Sequence, residues 1–319
     1  NKENKNMSKY CFDIETDNLL EECTKIHCIV LKNIDTEEVL TLSTDEAINK
    51  LTNAELIIGH NIIKFDIPVL EKLYNFKTKA KVFDTLVATR LIWSDLMESD
   101  MKRVHTKDFP RKLVNKHSLK AWGVRLGNYK QEFETDWQEF TNEMLEYCVQ
   151  DVEVTHNLYQ IILGKKYSEE SLQLEHDVAA LISKQERYGV LFDKEKAIKL
   201  YADLSGQRDK IKTEMEETFK PKVIKRVSEK TGKPLKDKVV EFNPSSRMHI
   251  AERLTEKYNW KPKDFSPDGR PKVDDTILNS LDYPEAKLLA KYFLLEKRIG
   301  MLSEGNQAYL KLERNGRLH

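Results

Sequence analysis

The stretch Tyr10-Cys11-Phe12-Asp13-Ile14-Glu15-Thr16-Asp17 decides how this chain is read. Apolar and acidic residues alternate through it, and residues two apart on a strand point to the same face. As a strand it packs Phe12 and Ile14 beneath and presents Asp13 and Glu15 side by side above. Carboxylates that close repel, and burial adds to the cost. A bound divalent cation relieves both, and oxygen donors suit a hard ion such as magnesium or manganese. The plain alternative is an edge strand with a solvated acidic face.

Working outward, residues 26–32 read as a second strand and 37–43 as a third, joined by a hairpin turn at Asp35-Thr36. Thr44 or Asp45 caps a short helix through Leu51. Leu56-Ile57-Ile58-Gly59-His60 reads as a buried strand with a sharp exit into Asn61-Ile62-Ile63-Lys64-Phe65-Asp66. Pro68 suits the first turn of the next helix, so Asp66 falls near its N-terminus, where the dipole favours a carboxylate. Asp84 ends a further strand and caps a helix to Trp93. Residues 98–117 are polar, charged and broken by Pro110, which suggests a long loop. Ser118 caps a helix that Gly127 ends, and Thr141 or Asn142 opens one to about Leu163. Strands first and helices interleaved later give an α/β sandwich over residues 7–165.

From residue 166 to 319 the pattern is mostly helical. Helices are expected over 169–189, from Asp193 to about Phe219, from Arg247 to Tyr258 after the cap at Ser245-Ser246, from Asp274-Asp275-Thr276, and over 281–299. Residues 221–240 carry seven basic residues against two acidic. They read as a solvated flexible loop or as one that contacts phosphates. The polar start, residues 1–6, reads as a disordered extension, with Met7 a possible native start.

Charge is balanced overall, at 53 basic and 53 acidic residues, but not evenly spread. Residues 1–160 hold 21 Lys+Arg against 27 Asp+Glu, and residues 161–319 hold 32 against 26. A neutral total does not exclude nucleic acid, because footprints are local. Cys11, Cys23, Cys28 and Cys148 show no zinc-like pairing and read as buried thiols of a reducing compartment. No apolar run approaches the roughly 20 residues of a membrane span, and no signal peptide is visible. A cytoplasmic protein is expected.

Tyr147 and Asp151 are four apart on the late helix and share a face. Alone they describe an amphipathic helix with one packed ring and one solvated acid. Together with Asp13, Glu15 and Asp66 they describe four carboxylates from separate segments, a set that can converge on two divalent cations. Two such ions clamp the attacking and leaving oxygens of a phosphoryl displacement.

Asp13-x-Glu15, Asn61-x3-Phe65-Asp66 and Tyr147-x3-Asp151, in this order, resemble the DEDD exonuclease superfamily in its tyrosine-bearing branch. Over nearly the whole chain the sequence is similar to family A DNA polymerases of short-tailed, T-odd-type phages. The stretches that carry this are Asp84-Thr85-Leu86-Val87, Ala121-Trp122-Gly123-Val124-Arg125-Leu126-Gly127, Lys184-Gln185-Glu186-Arg187, Phe242-Asn243-Pro244-Ser245-Ser246-Arg247 and Lys297-Arg298-Ile299-Gly300. The resemblance implies a ribonuclease-H-like mixed sheet flanked by helices, followed by a thumb-like helical region. It implies a 3′→5′ proofreading exonuclease in which Asp13, Glu15, Asp66 and Asp151 hold two Mg2+ or Mn2+ ions.

Phenols titrate near ~10, so Tyr147 is expected to orient a water rather than to act as a free base. Leu19 and Leu20 follow the first motif and could wedge against a terminal base. Phe65 could stack or pack, and Asn61 could hold the scissile nucleotide or cap the helix locally. Ser245, Ser246 and Arg247 at a helix N-terminus, with Lys297 and Arg298, are the candidate phosphate contacts of the thumb. His60, His117 and Lys64 read as structural or exposed side chains.

The expected partners are a single-stranded DNA 3′ end and a primer–template duplex, in the host cytoplasm if phage-encoded. The sequence reaches His319 without palm and fingers motifs, which implies either the editing segment of a longer polymerase or a split one completed by a separate chain. The insertion that grips a processivity factor in relatives is reduced to about 221–240, which argues against a thioredoxin-type partner. The competing readings are an RNA-trimming exonuclease of the same superfamily and a non-catalytic scaffold of a split polymerase.

Overall fold

A computed structural model describes residues 8–128, 136–227, 232–266 and 268–319; the extension expected at 1–6 lies outside them. The chain forms two compact units, the first ending at Arg187 and the second running from Tyr188 to His319.

The first unit is built on strands β1 (Lys9–Thr16), β2 (Ile26–Asn33) and β3 (Val39–Thr41), helix α1 (Thr44–Thr52), β4 (Leu56–Gly59), α2 (Asp66–Tyr74), β5 (Lys81–Asp84) and α3 (Thr85–Ile92). Then follow α4 (Met97–His105), α5 (Leu119–Leu126), α6 (Asn142–Gly164) and α7 (Glu169–Tyr188). The sheet order is β3-β2-β1-β4-β5. The hairpins β1–β2 and β2–β3 are antiparallel, whereas β1–β4 and β4–β5 are parallel. This is the mixed ribonuclease-H-like sheet, with β1 at its centre.

Because β1 is central, both of its faces are covered. Phe12 and Ile14 enter a core with Ala47 and Leu51 of α1 and Val69 and Leu70 of α2. Cys11 faces the other way, into a core with Cys148, Val152, Leu158 and Ile162 of α6. Each large side chain buried in this way contributes about 1.5–3 kcal/mol. Asp13 and Glu15 share the α6 face with Cys11, so the covered central strand replaces the solvated-edge alternative. A half-buried ion pair from Lys32 Nζ on β2 to both oxygens of Glu153 on α6, each at 2.8 Å, ties the helix to the sheet.

Local sequence accounts for most element ends. Ser118, Thr141 and Asp84 accept the N–H groups of Ala121, Met144 and Leu86 at the starts of α5, α6 and α3. Gly127 ends α5 in the left-handed conformation. Three expectations are corrected. The cap of α1 is Ser43, which exchanges bonds with Glu46 in a capping box. Residues 98–117 are not one loop but carry α4 and a 3-10 turn, Arg111–Leu113. Asp100 of α4 explains the difference, because its carboxylate is a buried bidentate partner of Arg125 in α5. Finally, α7 packs on the first unit: His176 Nε2 accepts the Asp84 N–H at 2.7 Å and the Ser183 hydroxyl donates to the Ile63 carbonyl at 3.2 Å.

The second unit contains β6 (Val190–Leu191), α8 (Lys194–Thr218), β7 (Lys222–Val227), β8 (Pro234–Val240), α9 (Arg247–Tyr258), α10 (Asp275–Ser280) and α11 (Pro284–Ile299), closed by β9 (Glu313–Arg314) and β10 (Arg317–Leu318). Its core is helical, with Ile211, Met215, Leu254 and Leu289 at the centre. The basic stretch expected as a loop is an antiparallel hairpin, β7–β8. Cross-strand Val223–Val239 pairing and an ion pair from Lys222 to Glu252 and Glu256 on α9 hold it. Among the described residues, no helix is long and apolar enough to cross a membrane.

Candidate active site

Three elements aim acids at one place. Glu15 lies opposite Cys28 in the β1–β2 pairing, and the register slips by one residue directly after it. Such a bulge re-aims side chains at the end of a strand. One oxygen each of Asp13 and Glu15 and the Cys148 sulfur lie within 4.8 Å of one another. Burial pushes the Asp13 carboxyl well above its ordinary range, and the charges of Asp66, Glu15 and Asp151 add to the push. Burial raises Glu15 to about 9, with Asp151, Cys28 and Asp66 adding. Burial raises Asp66 to about 8 and Asp151 to about 7. The Tyr147 hydroxyl donates to Asp151 and opposes that rise. The five residues expected to carry the chemistry are therefore brought together.

The arrangement fits divalent cations. Asp66 is 3% exposed, and its Oδ1 has no hydrogen-bond donor. On its other side the carboxylate takes the N–H of Ile14, just beyond the last β1–β4 pair. A buried carboxylate oxygen without a donor, among three further acids, is costly unless a positive charge arrives. Asp13, Glu15, Asp66 and Asp151 supply hard oxygen donors of the kind such ions take.

The neighbourhood is braced. A Cβ at Gly59 would sit 2.1 Å from Ile62 Cγ2 and 3.0 Å from the Phe12 carbonyl, so only glycine allows the chain to turn here. Asn61 adopts φ +68, and the N–H groups of Asn61 and Ile63 donate to Asp84 at 2.8 and 3.1 Å. Asp84 was legible as a helix cap, but its grip on this turn was not. A loop also closes after β1. Asp17 accepts the N–H groups of Thr24 and Lys25 and the Thr24 hydroxyl. Burial would raise the Asp17 carboxyl, but these bonds outweigh it and hold the group well below its usual range. Lys72 donates to the carbonyls of Leu20, Glu21 and Cys23 at 2.8–2.9 Å. Leu19 is 76% exposed on this clamped loop.

Sequence reasoning missed Cys148. Its thiol donates to the Asp13 carbonyl at 3.5 Å and to Asp13 Oδ2 at 3.7 Å. Burial, then Cys28 and the charge of Asp13, push this thiol well up, so it is held protonated. Only the Tyr147–Asp151 helical register could have pointed to it. Of the other candidates, Phe65 packs partly buried against the core that holds Ile14. Lys64 pairs with Glu186 at 2.5 Å. Burial lowers His60 to about 4 and also lowers His117, as expected of neutral structural histidines.

In the second unit, Ser246 caps α9 by accepting the His249 N–H, and the Ser245 and Tyr292 hydroxyls lie 3.2 Å apart. Arg247 follows, exposed, and Lys297 and Arg298 are exposed in the last turn of α11.

Two phage proteins, the DNA-directed DNA polymerases of Escherichia phage T7 and Enterobacteria phage T3, are each 30% identical to the chain over 96% of its length. The chain spans 59% of the length of these relatives. A solved structure, Brucella melitensis NrnC, aligns over 59% of this chain and 89% of its own at 20% identity and a TM-score of 0.42, too slight a likeness to carry a conclusion. Residues 2–166 match the family described as 3′-5′ exonuclease, a span that contains every acid of the cluster. The chain belongs to that 3′-5′ exonuclease family.

Proposed function

We propose that the chain removes nucleotides from DNA 3′ ends as the proofreading part of a phage replicative polymerase, with Asp13, Glu15, Asp66 and Asp151 holding two divalent cations, magnesium or manganese. The observation that carries this reading is the convergence of four mutually repelling carboxylates, one with an oxygen lacking any donor, inside the matched exonuclease span. When bound, such cations make water nucleophilic near neutral pH and stabilise a leaving oxygen.

The chain's own residues supply position. With its proton committed to Asp151, the Tyr147 oxygen can accept a hydrogen bond and orient the attacking water. The loop clamped by Asp17 and Lys72 presents Leu19 as an apolar wedge for the terminal base. The left-handed Asn61 turn, held by Asp84, sets the approach of the strand. In the same reading the second unit is thumb-like. There Ser245, Ser246 and Arg247 at the start of α9, with Lys297 and Arg298 on α11, contact phosphates of the primer–template duplex without reading its sequence.

The test uses 5′-labelled single-stranded DNA and RNA with the purified chain in magnesium. Stepwise shortening of DNA from its 3′ end, with release of nucleoside monophosphates, is expected. The double variant Asp13→Ala, Glu15→Ala should lose it. Shortening that persists in that variant would sink the site, and faster shortening of RNA would reassign the substrate.

A further inference from the structure

We propose that Cys148 converts the Asp13–Glu15 pair into a mixed oxygen-and-sulfur site that captures a thiophilic divalent cation of the zinc class and thereby silences the nuclease. This rests on the reading of Asp13 and Glu15 as hard-ion ligands, and adds to it a second kind of occupant.

The geometry favours one ion shared by three donors. The Cys148 sulfur and one oxygen each from Asp13 and Glu15 lie within 4.8 Å of one another, and the sulfur is 3.7 Å from Asp13 Oδ2. Oxygen and sulfur ligands of one tetrahedral zinc ion sit about 3.5 Å apart. The thiol is fully buried and lies against Asp13, 3.7 Å from its Oδ2, with Cys28 as its other neighbour. Asp66 is an independent pointer to a cation at this place. Its Oδ1 is buried without a donor, and its charge acts on both Asp13 and Glu15.

The chemistry then separates the two classes of ion. Magnesium and manganese take oxygen donors, whereas zinc and cadmium gain from sulfur. On capture the Cys148 S–H bond breaks, its proton passes to solvent water and a sulfur–metal bond forms, with no change in oxidation state. The captured ion holds the two carboxylates that the hard ions need, so zinc and magnesium exclude one another. Cys28, opposite Glu15 across β1–β2, is the nearest control sulfur.

The test has a readout separate from catalysis. The metal-free, reduced protein is titrated with cadmium alone, and a sulfur-to-cadmium charge-transfer band is followed in the ultraviolet. The band should appear in the parent chain and in Cys28→Ser, and vanish in Cys148→Ser and Cys148→Ala. Matching circular dichroism of the two Cys148 variants certifies their folding. The zinc concentration that halves magnesium-driven activity, each protein scaled to its own rate, should rise about tenfold or more in the Cys148 variants. A band that survives loss of Cys148, or that depends on Cys28 instead, overturns the proposal. A Cys148-dependent band in a chain inactive with every metal sinks the nuclease reading while upholding the sulfur ligand.

Discussion

Asp100 and Asp66 are buried almost equally, at 1% and 3% exposure, and their surroundings are opposite. Asp100 receives Arg125 Nε and Nη2 at 3.0 and 2.7 Å and the Asn115 N–H at 2.9 Å. Arg125 itself is stacked over Phe109 and Trp122. Asp66 has an oxygen with no donor, and its charge bears on those of Asp13 and Glu15. Burial therefore does not distinguish a structural acid from a functional one. The donors around it do: a structural carboxylate is matched within the fold, and a functional one is left to be matched by something that binds.

Substitutions at the two positions should separate stability from activity. Asp66→Asn removes a proposed ligand but also a repelling charge. Nuclease activity should fall about a thousandfold, the size of loss seen when one strong electrostatic contact to a reacting centre is removed. The metal-free melting temperature at pH 9 should rise. Asp100→Ala should do the reverse, costing about 3–5 kcal/mol because it strands a buried guanidinium, while folded molecules keep their activity. Urea unfolding and single-turnover rates on the same preparations decide. A large stability loss at Asp66→Asn would break the comparison.

The same contrast has a pH signature. Asp151, Asp66 and Glu15 titrate near 7, 8 and 9 in the fold, all raised above their ordinary values near 4. Between about pH 4 and 9 the folded chain thus holds protons that the unfolded chain has released. Stability falls with rising pH wherever the folded state binds more protons. In a chelator, melting temperature should decline from about pH 7, above the ordinary histidine range, to pH 9. Saturating magnesium, which favours the ionised acids, should flatten the slope. Equal slopes with and without magnesium would show that the acids do not hold the ion.

Much of this was legible in the residues. The alternation Phe12-Asp13-Ile14-Glu15 gave the strand and its two faces, because the side-chain period of a strand is local information. Asp66 at a helix start and the four-residue step from Tyr147 to Asp151 were legible for the same reason. What escaped depends on contacts between distant segments. The amphipathic segment at Met97–His105 read as loop because the Arg125 that neutralises Asp100 lies 25 residues on. The basic stretch read as loop because its order comes from pairing across a turn and from glutamates on α9. Cys148 read as packing because nothing in its own neighbourhood announces that Asp13, 135 residues earlier, lies against its sulfur.

The smallest effect expected is at Tyr147, and it is the sharpest test of how the acids are tuned. Among the described residues, its hydroxyl is the side-chain donor that opposes burial at Asp151. In Tyr147→Phe that opposition disappears, so the Asp151 carboxyl should rise further above about 7. The lost bond should cost about 1.4 kcal/mol, or tenfold in rate. The acid limb of the rate–pH profile should move to higher pH, and more magnesium should be needed for half-maximal rate. Melting in chelator should scarcely change at low pH, where Asp151 is already protonated. A tenfold rate loss with an unmoved acid limb would instead confine Tyr147 to orienting water, and would leave the charge of Asp151 to be set by burial alone.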